Sequence, residues 1–168
     1  MSTAIDTPKS RRTVYRLSAI AHAAIAPLVL EHGYSPKVVA RGLARMRVID
    51  GLYPMGVWDW RRLFLFFARQ NRVAGITLGH HVFLASEHLL ANRALLAHEA
   101  VHVVQVEQRS LLIFLLRYGG EWLLLRLKGT PSHEAYLALR DEVEARSVEH
   151  ALTQRGVGSA PWLEATGE

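Results

Sequence analysis

The segment Leu95-Leu-Ala-His-Glu-Ala-Val-His-Val-Val-Gln105 carries the residues best suited to chemistry. His98 and His102 are four apart, and on an α-helix residues at that spacing lie one above the other on one face. Two neutral imidazoles so placed can point at one metal ion. Glu99, about 100° round the helix from His98, can reach a water on that metal and take its proton. His-Glu-x-x-His thus supplies the two nitrogen ligands and the general base that metal-assisted hydrolysis requires. Leu95, Leu96, Val101, Val103 and Val104 make the segment apolar nearly all round, which predicts a buried helix. Two histidines and a glutamate one turn apart in such a helix are costly to desolvate unless paired or metal-bound. The plainer alternative is a core helix whose histidines bond to backbone.

Composition bounds what can surround this helix. The chain has 168 residues, suited to one domain over 1–168, with 50% hydrophobic and 21% charged residues, enough to bury a core. It has no cysteine, so disulfides and thiolate zinc sites are excluded and any zinc must be held by His, Asp or Glu. The formal net charge is +5 and the pI about 10. The arginines are scattered through apolar segments with no basic block and no interleaved aromatics, which argues against nucleic acid as a partner.

The elements that must position the helix follow from local patterns. Residues 1–12 are polar and expected to fray. The run 17–30 is apolar behind Lys9, Arg11 and Arg12, but Arg16 and His22 interrupt it and Pro27 follows the only small-x-small site. A packed N-terminal helix is therefore expected, not a signal peptide, and a cytoplasmic location is favoured. Ser35-Pro36 reads as an N-cap and first-turn pair opening a helix to about Ile49. Trp58–Ala68 reads as a short aromatic helix. Val73–Leu84, rich in β-branched residues with Gly75 and Gly79, reads as a strand or hairpin just before the metal helix, placed to pair with an extended peptide. Of the adjacent His80 and His81 at most one can face a metal. Asn92 is an N-cap candidate, and the helix should end near Arg109-Ser110. The apolar 111–127 is too short and too charged to span a bilayer, and should break near Gly119-Gly120. Arg117 and Glu121 within it are spaced to pair. A helix with an acidic first turn follows over 142–150, and the tail from Gly156 is expected to be extended or loose.

A catalytic zinc usually takes three protein ligands and leaves one position open. No third histidine follows His102 at close range, so downstream carboxylates are the candidates. Glu142 and Glu144 both stand at the start of the later helix, about 40 residues on. Leu95–Gln105, with Thr77-Leu-Gly-His-His-Val-Phe-Leu84, Ala135-Tyr136 and Glu142-Val-Glu-Ala145, resembles the small bacterial peptidase-MA-like, gluzincin-type zincin domains over roughly residues 73–150. The resemblance implies a mainly helical α+β zincin-like fold, with a small sheet or hairpin before the metal helix. Matching Ala145 to the alanine of the family's Glu-x-x-Ala makes Glu142 the third ligand beside His98 and His102, with Glu144 second. It implies Zn2+ as cofactor and Glu99 as catalytic base. Gln105, Tyr136, Glu144 and His133 are candidates to line the site, Tyr136 and His133 also as oxyanion donors. Arg146 stands where the family has an acidic or amide residue, and Arg140 where these domains often have proline. Arg146 removes an expected support for a zinc-bound histidine.

These readings point to a zinc metallopeptidase acting on a peptide or protein substrate. An alternative is a zincin-like metal-binding or protein-interaction module with little turnover; Glu99, which a purely structural site does not need, favours hydrolysis. A third reading, contact with a membrane surface, requires the apolar faces of 58–68 and 111–127 to be exposed.

Overall fold

The computed structural model describes residues 13–50, 74–156 and 160–166. Its elements are β1 (Val14–Leu17), α1 (Ala19–Leu30), α2 (Pro36–Arg45), β2 (Arg47–Asp50), β3 (Gly75–Leu78) and β4 (His81–Leu84). After a 3-10 turn at Glu87–Ala91 come α3 (Arg93–Arg109), α4 (Leu111–Leu127), α5 (Ser132–Leu137), α6 (Arg140–Arg155) and β5 (Leu163–Ala165). The protein is mainly helical α+β, as expected. The five strands form one sheet in the order β3-β4-β2-β1-β5, with β2 and β4 parallel and the other neighbours antiparallel.

Local chemistry sets the ends of the central helix. The Asn92 side chain accepts from the Leu95 amide at 3.0 Å and caps α3, which runs to Arg109. Every residue from Leu96 to Val106 is buried. α3 is packed by α6, by α2 and by the sheet, and each buried Leu or Val contributes about 1.5–3 kcal/mol. Gly42 on α2 permits the close crossing: a Cβ there would lie 3.0 Å from Val104 Cγ2 and 3.2 Å from its Cα. The β3–β4 hairpin turns at Gly79, whose φ of +67° suits glycine.

Three expectations are corrected. The helix from Ser35-Pro36 ends at Arg45, not Ile49. Residues 47–50 are a strand because Val48 and Ile49 pair with β1 on one side and β4 on the other, and sheet pairing overrides the helical spacing. Residues 111–127 form one unbroken helix. Gly119 and Gly120 are exposed there, with nothing within 4 Å of an added Cβ, so the surroundings impose no break. Glu121 lies 3.7 Å from Arg140, not against Arg117. The tail is extended, within what was expected, and it is also anchored: Trp162 is buried under the Arg93 guanidinium, Ser18 N–H donates to its carbonyl, and β5 adds to β1. The expectations for residues 1–12 and for the aromatic helix at 58–68 lie outside the described residues. No helix among the described residues is long and apolar enough to cross a membrane.

Candidate metal centre

His98 and His102 project from one face of α3 toward the first turn of α6. Their Nε2 atoms are 3.2 Å apart. Glu142 closes the group, with Oε1 3.2 Å from His102 Nε2 and Oε2 3.4 Å from His98 Nε2. All three residues are buried, and a ligand atom from each lies within 4.8 Å of the others.

The outer nitrogens fix the tautomers. His98 Nδ1 stands 3.1 Å from Glu149 Oε2, and a carboxylate there can only accept, so Nδ1 carries the proton. Gln105 donates through Nε2 to the Asp141 carbonyl at 3.1 Å, so its Oε1 accepts from His102 Nδ1 at 2.8 Å. Both Nε2 atoms are then left facing each other and Glu142. A carboxylate on one metal-binding histidine and an amide on the other orient rings for a cation. Glu142 Oε1 accepts from the Tyr118 hydroxyl at 2.7 Å, whereas Oε2 is buried with no hydrogen-bond partner among the described residues. Two imidazole nitrogens converging on a buried carboxylate fit a metal ion.

The electrostatics agree. Burial works against the Glu142 charge, but His102 and His98 outweigh it and hold the carboxyl far below its usual range. Burial likewise works against charging His98, yet Glu142 and Glu149 push it up to about 10. His102 moves up as well, Glu142 overcoming its burial. Burial and the Glu142 charge raise the Tyr118 and Tyr136 hydroxyls, so both stay protonated donors at neutral pH. The group draws positive charge into a buried place.

Glu99 is buried beside it, held by a 2.7 Å hydrogen bond from Thr77 Oγ1 on β3. Gly75 makes room: a Cβ there would stand 2.6 Å from Glu99 Oε1. A cleft of about 240 Å³ opens onto His98 and Glu99 and is walled by His133, Tyr136, Arg146 and Glu149. His133 stacks on Tyr136.

Most residues expected at the site are thus brought together: His98, His102, Glu142 and Glu99, with Gln105, Tyr136 and His133 around them. Glu144 is not. Two residues past Glu142 it faces another side of α6, where it lies against Tyr34 and lines a different cleft with His32 and Ser147. His80 is also elsewhere, bonded to Glu107 at 2.9 Å. The sequence reading missed Tyr118, Glu149 and Thr77. Glu149 was findable, since it lies seven residues after Glu142 and so on the same helix face. Tyr118 was hidden in a stretch legible only as apolar. Glu149 and Gln105 also supply the support that Arg146 was expected to deny. Arg146 donates to the Leu137 carbonyl, with Nη1 3.9 Å from Glu142 Oε2.

Fold and site together define an α+β protein with a buried His-His-Glu group able to hold a metal ion. A family model described as the eCIS core domain matches residues 67–110, or 44 of the 168. The match takes in β3, β4 and the whole of α3, hence His98, Glu99 and His102, and stops before Glu142. No curated protein and no solved structure matches the chain.

Proposed function

We propose that the chain is a zinc-dependent peptidase of the zincin-like, gluzincin type, with His98, His102 and Glu142 as ligands and Glu99 as catalytic base. The observation that carries this reading is the convergence of Glu142 on two histidines already oriented by Glu149 and Gln105, with a second buried carboxylate, Glu99, lining the cleft. The donor set, two imidazole nitrogens and one carboxylate without thiolate, suits zinc in a catalytic site. When bound, zinc supplies Lewis acidity, lowering the pKa of a coordinated water to about 7 and polarising a carbonyl.

The chain's own residues do the rest. Glu99 accepts the proton of the attacking water at a carboxylate oxygen and later passes it to the leaving amine. Thr77 holds the other side of this exchange by fixing Oε2, and Gly75 keeps the space beside Oε1 open. Tyr118 positions Glu142. Tyr136 and His133 line the cleft wall and are the candidate donors to a carbonyl oxygen that gains charge, Tyr136 by releasing its hydroxyl from Glu142. The substrate is a peptide or protein segment.

A second reading is a metal-binding or protein-interaction module with little turnover. The family match is compatible with it, since the matched residues hold His98, Glu99 and His102 and stop before Glu142. Glu99→Gln separates the two. As a peptidase, the variant keeps its metal and loses peptide hydrolysis by about 100-fold or more. Hydrolysis by the wild type that Glu99→Gln leaves unchanged, or no hydrolysis of a peptide library by zinc-loaded wild type, favours the module.

A further inference from the structure

We infer that α4 docks the protein on an anionic lipid surface. Seven of the ten exposed large apolar residues among the described residues belong to this one helix: Leu112, Ile113, Leu115, Leu116, Leu123, Leu124 and Leu127. Only Phe114 on it is fully buried, and the partly buried positions 111, 118, 121, 122 and 125 lie with it along one stripe. The remainder of the circumference is solvent-facing, so α4 stands proud as an apolar ridge. On a globular protein a contiguous exposed patch of this kind marks a contact surface.

Charge decides the occupant. The exposed charged residues of the helix and its C-cap are Arg117, Arg126 and Lys128, all positive. By helical phase Arg117 and Lys128 flank the leucine ridge on one side and Arg126 on the other. The one acid of α4, Glu121, is turned toward the protein and lies 3.7 Å from Arg140. An apolar strip between basic rims matches the boundary of a bilayer rich in anionic headgroups, with leucines entering the acyl region and cations at the phosphates. A second copy of the chain would bring like-charged rims together. The formal charge of +5 adds long-range attraction to the same surface.

The inner side of the same helix reaches the metal centre. Phe114 packs against the His102 ring with centroids 6.0 Å apart, and Tyr118 bonds Glu142. Docking through the outer face therefore sets the metal centre one helix away from the membrane surface without using any residue of the centre.

The test is co-sedimentation of the full chain with vesicles of phosphatidylcholine and phosphatidylserine (about 3:1) and with vesicles of phosphatidylcholine alone. Wild type should bind the mixed vesicles, and binding should weaken as salt rises. Leu116→Glu with Leu123→Glu should reduce binding to the phosphatidylcholine level while leaving the circular dichroism spectrum unchanged, since both side chains are more than half exposed. Arg117→Gln with Arg126→Gln, which leaves the apolar ridge intact, should weaken binding about tenfold or more and flatten its salt dependence. The proposal is overturned if wild type ignores the mixed vesicles. Equal binding by the folded leucine variant, or a wild-type dimer that this variant dissociates without any vesicle binding, also overturns it.

Discussion

At the scale of single residues, the outer partners of the histidines carry as much of the site as the ligands. His98 and His102 would be free to rotate or swap tautomers without Glu149 and Gln105, which take up both Nδ1 protons and leave both Nε2 atoms facing Glu142. Glu149→Gln keeps a hydrogen-bond acceptor but removes the charge. It should weaken zinc affinity about 10–100-fold, read by competition with a chromophoric chelator; unchanged affinity would show that Glu149 is not part of the centre. The site was legible in sequence where it is local. Helical spacing alone aligned His98 with His102 and set Glu99 to one side. The choice between Glu142 and Glu144 needed the phase of α6 against α3, a tertiary quantity that no local pattern holds. Tyr118 and Thr77 were beyond reach for the same reason: each comes from another element, among residues whose types announce only a helix or a strand.

At the scale of elements, α3 links the centre to the rest of the molecule, and its C-terminal half carries a second polar group. Glu107 is bound by Arg41 at 3.1 Å and Arg45 at 3.1 Å from α2 and by His80 at 2.9 Å from the hairpin turn. Its partial burial raises the carboxyl pKa, but His80, Arg45 and Arg41 outweigh it, and the net shift is downward from 4.5. A carboxyl whose pKa is lower in the folded state stabilises above its unfolded value and loses that contribution as pH falls. Glu107→Gln should therefore destabilise by about 1 kcal/mol at pH 7, and the difference from wild type should shrink as pH drops below about 4.5. Urea unfolding at several pH values measures it; a difference independent of pH would contradict the ion-pair origin. Elements were read well where caps and glycines punctuate them, at Ser35, Asn92 and Gly79. They were missed where pairing decides: β2 was read as helix and β1 and β5 were not read as strands, because three or four residues each are too few for an alternation to show and their neighbours in the sheet complete them.

At the scale of the whole molecule, the fold class was legible because the chain alternates long apolar helical runs with a short β-branched segment. The way α6 and α2 enclose α3 was not. The consequence is a centre built across sequence-distant helices, so that metal binding and folding are linked. Zinc at about 100 times its dissociation constant should add about 2.7 kcal/mol, raising the melting temperature by roughly 5–10 °C. A chelator should reverse the shift, and His102→Ala should abolish it. An equal response in His102→Ala would place the ion elsewhere.

The central claim is that Glu142 joins His98 and His102 on one metal ion. The most direct measurement is zinc content after equilibrium dialysis, for wild type and for Glu142→Ala and Glu144→Ala. The expected result is one zinc per chain in wild type and in Glu144→Ala, with affinity lost by about 100-fold or more in Glu142→Ala. A wild type without stoichiometric zinc, or a Glu142→Ala variant that retains full affinity, would contradict it.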